Sequence, residues 1–285
     1  MSNNSELNSS VTYNFMKVKL WLLIPAFLLL FLIYLYFALF NDSANFIDGY
    51  VNVQKDLFLF LNNKLSQFPS LMFNLTQFGD VIIGYSLLTA FIIYAPKLWE
   101  ALLTSAIISL VVSAVLKKIF AVPRPAAMFD HASFRIIGET ISGKSSLPSG
   151  HSIVTFITIT TLLFAFMPGK NKYKIIWVPF MLSLGLLIAF SRVGVGAHYP
   201  LDVIIGSTIG FIIAITGIKI SNSVNWFAWL KNKKLYPIYL LVLSVWGFFM
   251  VKKIVNTNLL IFYISLLSLL ITVYLMTTTY VKKDK

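Results

Sequence analysis

Two histidines, His151 and His198, are the residues of this sequence best suited to acid–base or nucleophilic chemistry. His151 ends the tetrapeptide Pro-Ser-Gly-His, directly before an apolar run, and His198 is followed four residues later by Asp202. A carboxylate beside a histidine fixes its tautomer and stabilises the imidazolium. One imidazole can then attack a phosphorus atom while the other donates a proton to the departing oxygen.

The cations near these histidines suit the binding of a multiply charged oxyanion. The chain has only three arginines and three histidines, and all six fall between residues 124 and 198, whereas lysine is the usual cation elsewhere. The planar guanidinium of Arg124 or Arg192 can bind phosphate with two parallel hydrogen bonds, and Lys117 adds a point charge. A helix beginning at Ser149 and Gly150 would add free N–H groups and the positive end of its dipole.

Each of these features also has a purely structural explanation. Lys117 could be a lysine whose ammonium extends to the membrane surface at the end of a span. Ser149 could be an ordinary helix cap with an incidental histidine after it, and Asp202 a favourable first-turn acid. These explanations account for the features one at a time, but not for all of them lying on the same face of the membrane.

The elements that position these residues are predicted to be membrane-spanning helices. The chain is 58% hydrophobic and 12% charged, outside the range of soluble domains, which predicts an all-α, polytopic membrane helix bundle. Its net charge of +13 does not indicate a nucleic-acid partner, because the basic residues lie between apolar stretches. The bilayer is the expected partner, and eight spans are predicted near residues 21–40, 79–96, 99–116, 152–168, 176–191, 202–218, 236–251 and 258–278.

Lysines predict the orientation, because cytoplasmic loops carry an excess of Lys and Arg. A cytoplasmic N-terminus leaves the C-terminus inside as well, and it places most loop lysines inside: Lys97, Lys170, Lys172, Lys174, Lys219, Lys231, Lys233, Lys234, Lys282, Lys283 and Lys285. Both histidine motifs then lie on the outer, periplasmic or extracellular, face. Lys252 and Lys253 also fall outside, against the rule.

The remaining segments complete the predicted domain organisation. Residues 1–16 are expected to be a polar, disordered tail, and 17–220 a membrane core that includes an active-site loop over 117–151. Within the core, 45–76 is expected to form one or two amphipathic helices, either in the outer interface or packed on the bundle. Asp80 is expected to cap a helix, and 221–285 to hold a cytoplasmic loop and two C-terminal spans.

Three motifs resemble the signature of the type 2 phosphatidic acid phosphatase superfamily. They are Lys-x6-Arg-Pro, Pro-Ser-Gly-His and Ser-Arg-x5-His-x3-Asp. The resemblance covers roughly residues 50–220, and all eleven signature positions match: Lys117, Arg124, Pro125, Pro148, Ser149, Gly150, His151, Ser191, Arg192, His198 and Asp202.

The resemblance implies a six-helix phosphatase core, with the site at the outer surface and the two C-terminal spans as additions. By the same resemblance, His198 is the nucleophile, His151 the general acid, and Asp202 the residue that orients His198. The phosphoryl group would be bound by the remaining members of the motifs: Lys117, Arg124, Ser149, Gly150 and Arg192. His131 and Arg135 match no motif but are candidate substrate contacts in the loop between Lys117 and His151.

The expected activity is hydrolysis of a membrane-lipid phosphomonoester or diphosphate through a phosphohistidine, in a bacterial inner membrane. Phosphatidylglycerol phosphate, undecaprenyl diphosphate, phosphatidic acid and phosphorylated lipid A all fit, as in the bacterial branch of the family. No cofactor or metal is expected, since the arginines can neutralise the developing charge and no carboxylate cluster is present to hold magnesium. Two alternatives stay open: a lipid-to-lipid phosphotransferase, and an anion transporter. The sequence does not predict the oligomeric state.

Overall fold

The computed structural model describes residues 2–40, 45–224, 229 and 232–281. Its helices are α1 (Ser2–Met16), α2 (Ile24–Phe40), α3 (Phe46–Asn52), α4 (Lys55–Leu65), α5 (Pro69–Gln77), α6 (Val81–Ser86), α7 (Phe91–Tyr94), α8 (Pro96–Phe120), α9 (Pro125–Met128), α10 (Gly150–Ala165), α11 (Asn171–Gly194), α12 (Pro200–Ser223), α13 (Tyr236–Thr257) and α14 (Leu260–Val281). The predicted all-α membrane bundle is confirmed.

Within the described part of the chain, six helices are long and apolar enough to cross a membrane. They are α2 together with the turn before it, α8, α11, α12, α13 and α14. The predicted span at 152–168 is the shorter helix α10. The predicted continuous span at 79–96 is wrong, since the segment forms α6 and α7 with turns after Ser86. It still traverses the bundle, because Gly79 packs on His151 at one end and Phe91 on Phe166 at the other.

The centre of the bundle is the contact between α10, which carries His151, and α12, which carries Asp202 and begins two residues after His198. Two glycines of α12 make their close approach possible. A Cβ on Gly206 would lie 2.7 Å from the Ser149 carbonyl oxygen, and one on Gly210 would lie 2.4 Å from that of Ile153. Small residues allow membrane helices to bring their backbones together. The first turns of α10 and α12 are therefore held side by side.

The N-terminal segment differs from its prediction. Residues expected to form a disordered tail are the helix α1, which packs against α8, α10 and α12. Val11 and Phe15 are fully buried in the main core, and the Asn14 side chain donates hydrogen bonds to the carbonyls of Ala165 and Met167. A few apolar side chains at helical spacing were enough to anchor a segment whose average composition is polar.

The segment at 45–76 forms three helices, α3 to α5, where one or two were expected. The helices α4 and α5 pack on α11, and the buried residues of the whole segment include Tyr50, Phe58, Asn62 and Met72. The Asn62 amide ties three backbone segments together, since it donates to the carbonyls of Arg135, Val193 and Gly194. Of the two roles considered for this segment, packing on the bundle is the one that these contacts show.

Several lysines used to predict the orientation lie outside the described residues, namely Lys231, Lys282, Lys283 and Lys285. Of the others, Lys97 lies at the end of the bundle away from the histidine motifs. The Lys97 ammonium contacts Glu100 and donates to the Ser221 carbonyl at the end of α12. We call this the opposite end, and the end that carries the motifs the site end.

Candidate active site

Asp202 organises the site from the first turn of α12, where Pro200 occupies the first helical position. Its carboxylate is fully buried and accepts four hydrogen bonds. Three donors bond to Oδ2: the His198 Nδ1–H at 3.3 Å, the Ser146 hydroxyl at 2.5 Å and the Tyr199 N–H at 3.0 Å. The Tyr50 hydroxyl donates to Oδ1 at 2.8 Å. Since Nδ1 faces Asp202, Nε2 is the nitrogen of His198 left for attack on a substrate.

The surroundings of His198 favour its neutral form. Burial lowers the pKa of His198 well below its usual value, and the positive charges of Arg124, Arg192 and Lys117 lower it further. A neutral imidazole is the nucleophilic form, so these cations keep the ring ready to attack. Burial likewise raises the pKa of the Tyr50 phenol, with the charge of Asp202 adding to the effect, so the phenol stays protonated and can donate to that carboxylate.

His151 occupies the first turn of α10, which begins as the sequence predicts. Ser149 caps the helix, because its hydroxyl accepts from the Ser152 N–H at 3.3 Å. The Lys117 ammonium lies over this turn, since a Cβ on Gly150 would be 3.4 Å from Nζ. A Cβ on Gly79 would be 2.7 Å from the Cβ of His151, so the α5–α6 turn fixes the imidazole from the other side.

Arg124 is positioned by a turn and not by a continuous helix. The helix α8 ends at Phe120, and Ala121 follows with a left-handed φ of 47°. Past this turn, Arg124 is buried and its Nη1 donates to the Ala197 carbonyl at 3.3 Å. The Arg124 backbone N–H also donates to the Gly143 carbonyl oxygen at 2.9 Å, and this bond fixes the loop that follows Arg124.

Arg192 lies in the last turn of α11 and is 5% exposed. Its Nη1 donates to the Thr76 hydroxyl at 2.8 Å, and its buried Nε finds no hydrogen-bond partner among the described residues. Within the same residues, neither Arg124, Arg192 nor Lys117 has a carboxylate within 4 Å. Buried cations with no carboxylate in contact are costly unless an anionic ligand completes them. The site therefore carries more positive than negative charge, even with Asp202 counted.

A cavity of about 540 Å³ reaches two of the motif residues, His151 and Arg192, whereas Lys117, Arg124, His198 and Asp202 lie outside its lining. Its lining includes His151 and Arg192, the turn at Val195–Ala197 and the loop residues Ile136–Glu139. Neither His131 nor Arg135 lines it. The exposed His131 ring bonds to the Ala126 carbonyl at 3.0 Å, and the Arg135 backbone N–H bonds to Asn62. Both candidates therefore lie outside the lining of this cavity.

Sequence reasoning missed three residues that support the site, Tyr50, Ser146 and Thr76. Each contacts a motif residue from a segment distant in sequence: Tyr50 and Ser146 bond to Asp202, and Thr76 bonds to Arg192. Ser146 lies only two residues before the Pro-Ser-Gly-His motif, and this proximity is the one signal that could have suggested it. Nothing in the local sequence distinguishes Tyr50 or Thr76.

The structure thus defines a polytopic membrane protein in which the three sequence motifs meet at one end of a helix bundle. The PAP2 superfamily profile matches residues 97–226, which include all eleven motif positions. Over this domain the chain is similar to the PAP2 superfamily.

Two curated relatives share this similarity. An undecaprenyl-diphosphatase of Sulfolobus acidocaldarius is 27% identical over 73% of this chain and 93% of its own length. A lipid A 1-phosphatase of Rhizobium etli is 31% identical over 45% of this chain and 54% of its own length. The crystal structure of Aquifex aeolicus LpxE superposes with a TM-score of 0.49 and 25% identity, covering 63% of this chain and 98% of that one. Both relatives are named as phosphatases, one of undecaprenyl diphosphate and one of lipid A.

Proposed function

We propose that this enzyme hydrolyses the phosphomonoester or diphosphate headgroup of a membrane lipid through a phosphohistidine on His198. The observation that carries the proposal is the pairing of the buried His198–Asp202 unit with Lys117, Arg124 and Arg192, three cations that have no carboxylate within 4 Å among the described residues. This arrangement supplies a nucleophile beside a site for a phosphoryl dianion.

In the first step, the His198 Nε2 lone pair forms a bond to phosphorus as the bond from phosphorus to the leaving oxygen breaks. His151 donates a proton to that oxygen, and Asp202 stabilises the positive charge that develops on the His198 ring. The phosphoryl oxygens lie among Lys117, Arg124, Arg192 and the N–H groups of the first turn of α10. The negative charge of the bound group offsets these cations.

In the second step, water attacks the phosphorus atom of phosphohistidine. His151, now neutral, accepts a proton from the water, and the bond from phosphorus to Nε2 breaks to release inorganic phosphate. The three cations spread the charge of both transition states, the role that a magnesium ion has in many phosphoryl transfer enzymes. We therefore propose that turnover requires no divalent metal.

The proposed location is a bacterial inner membrane, with both termini cytoplasmic and the site end facing outwards. Lys97 and the end of α12 near Lys219 lie at the opposite end, and so does the α10–α11 connection that carries Lys170, Lys172 and Lys174. The excess of lysine in cytoplasmic loops supports this orientation. A site at one end of the helices is also at headgroup depth, where a lipid phosphate lies.

The test is phosphate release by the purified full-length protein in detergent or lipid, with and without a chelator. The panel contains phosphatidylglycerol phosphate, undecaprenyl diphosphate, phosphatidic acid and a lipid A phosphate. We expect metal-independent release from at least one of them, and an acid-labile phosphoprotein in rapid-quench samples. Phosphate appearing on another lipid with none free in solution would identify a phosphotransferase. Absence of any reaction across the panel would overturn the proposal.

A further inference from the structure

The C-terminal hairpin of α13 and α14 forms part of the wall of the active-site cavity. Four lining residues belong to it: Lys253, Asn256, Thr257 and Phe262. All four lie after residue 226, where the match to the PAP2 superfamily ends. The hairpin therefore adds side chains to the site that the family domain does not supply.

Specific contacts fix this wall to the segment that precedes the family domain. The Trp246 indole N–H donates to the Ile82 carbonyl at 2.9 Å, and the Ile261 N–H donates to the Asn74 side chain at 3.0 Å. The hydroxyls of Thr89 and Thr272 lie 2.8 Å apart in a buried contact. An apolar cluster around Ile83, Leu243 and Phe262 surrounds these bonds. The hairpin is held in place at both ends of α6.

Lys253 is the cation of this wall, and its side chain is 35% exposed. Its ammonium lies 3.5 Å from Oδ2 of Asp80, whose Oδ1 caps α6 by accepting from the Ile82 N–H at 2.8 Å. A partly exposed ion pair of this kind is weak, and an ammonium has three donors. A phosphate entering the cavity can therefore bind Lys253 without breaking the helix cap.

We propose that Lys253, with Asn256 beside it, binds the non-reacting phosphate of a lipid diphosphate. This inference rests on the proposed function, in which the reacting phosphate lies among Arg192, Lys117 and Arg124. One continuous cavity extends from His151 and Arg192 to Lys253, so the next charged group of the headgroup meets this ammonium. Glu139 lines the same cavity, and its carboxylate disfavours a second anion there. Lys253 is the hairpin residue whose positive charge favours one. Lys253 is thus a specificity-determining residue for diphosphates over monophosphates.

The test compares farnesyl diphosphate with farnesyl monophosphate, which share one apolar tail, as substrates of the full-length protein. Loss of one charge-assisted hydrogen bond in Lys253→Met should lower kcat/KM for the diphosphate by about tenfold or more, with less than a twofold change for the monophosphate. Lys252→Met is the matched control, because Lys252 is the adjacent, exposed lysine outside the cavity lining. It should leave both substrates unchanged.

Asp80→Asn separates binding from structural support. The amide oxygen of asparagine can still cap α6, while the ion pair to Lys253 is lost. If Lys253 binds substrate, Asp80→Asn keeps the diphosphate preference of the wild type. If the ion pair acts only by holding the hairpin, Asp80→Asn and Lys253→Met lose activity in parallel on both substrates, and the inference is wrong.

The two proposals fail in different ways. A wild-type protein that hydrolyses both farnesyl compounds, with a ratio of kcat/KM values unaltered by Lys253→Met, overturns the inference and leaves the proposed function intact. A wild-type protein that releases phosphate from no lipid overturns both.

Discussion

Buried cations have different bonding partners at the two ends of the bundle. At the opposite end, Lys97 is 5% exposed and its ammonium lies 2.8 Å from Glu100, with the Ser221 carbonyl as a further acceptor. At the site end, Arg124 and Arg192 are equally buried, and their hydrogen bonds go to neutral groups only, Ala197 and Thr76 among them. The chain can therefore pair a buried cation when the cation serves the fold. Among the described residues, no carboxylate lies within 4 Å of Arg124 or Arg192, and this difference supports the proposal that an anionic ligand binds there.

The largest effect that tests this comparison is expected from His198→Asn. Asparagine keeps a polar group near the position of Nδ1, close to Asp202, but has no atom in place of Nε2. We expect turnover to fall by about a thousandfold or more, while vanadate still binds because the three cations remain. Phosphate release and vanadate affinity are measured on the same preparation. Near-normal turnover would remove the nucleophile assignment, and loss of vanadate binding would show that His198 holds the anion site together.

A second comparison sets Arg192→Gln against Lys97→Met, one substitution at each end. Arg192→Gln removes an unpaired charge at the phosphate, so kcat/KM should fall by about a hundredfold. Thermal stability should be kept or improved, since the variant removes repulsion among three cations. Lys97→Met leaves the Glu100 carboxylate buried without its ion pair, which should destabilise the protein by about 3 kcal/mol.

The measurements are kcat/KM and the thermal unfolding midpoint in detergent, with vanadate affinity as the binding readout. Vanadate should bind Lys97→Met as it binds the wild type. Equal losses of stability for the two variants would contradict the distinction drawn between the two ends.

The smallest expected effect is a shift in pH dependence. His198 must be neutral to attack, so kcat/KM falls as the pH decreases through the pKa of this histidine. Burial and the nearby cations lower that pKa, and the acidic limb should lie below the ordinary histidine value of about 6.5. Arg124→Gln removes one of these cations, so the limb should move to higher pH by a fraction of a unit or more. A limb that stays in place in this variant would show that Arg124 does not act on His198.

The local sequence predicted most of the site because its chemistry is concentrated in short motifs. The Ser149 cap, the Asp80 cap and the pairing of His198 with Asp202 each depend on residues two to four positions apart, whose contacts are set by helix geometry. Long-range contacts were not predicted. Tyr50 reaches Asp202 across 152 positions and Thr76 reaches Arg192 across 116, and neither partner has a local pattern to reveal it.

The errors in the fold have a related origin. Average composition indicated a free tail at residues 1–16 and a continuous span at 79–96. Tertiary packing instead buries Val11 and Phe15, and it accommodates the break between α6 and α7 against neighbouring helices. Hydrophobicity averaged over a window reports whether a segment enters the membrane. It does not report whether the segment is one helix or two.

The sequence alone determined the membrane class, the candidate phosphate-binding residue types and the helix starts that carry them, because these follow from composition and from contacts within one or two turns. Only the tertiary structure decided that the three cations have no carboxylate within 4 Å among the described residues, that Tyr50 and Ser146 complete the Asp202 network, and that the C-terminal hairpin brings Lys253 to the cavity. These facts depend on which helices are neighbours. Neighbour choice is set by packing over the whole bundle, for which no short stretch of sequence holds the information.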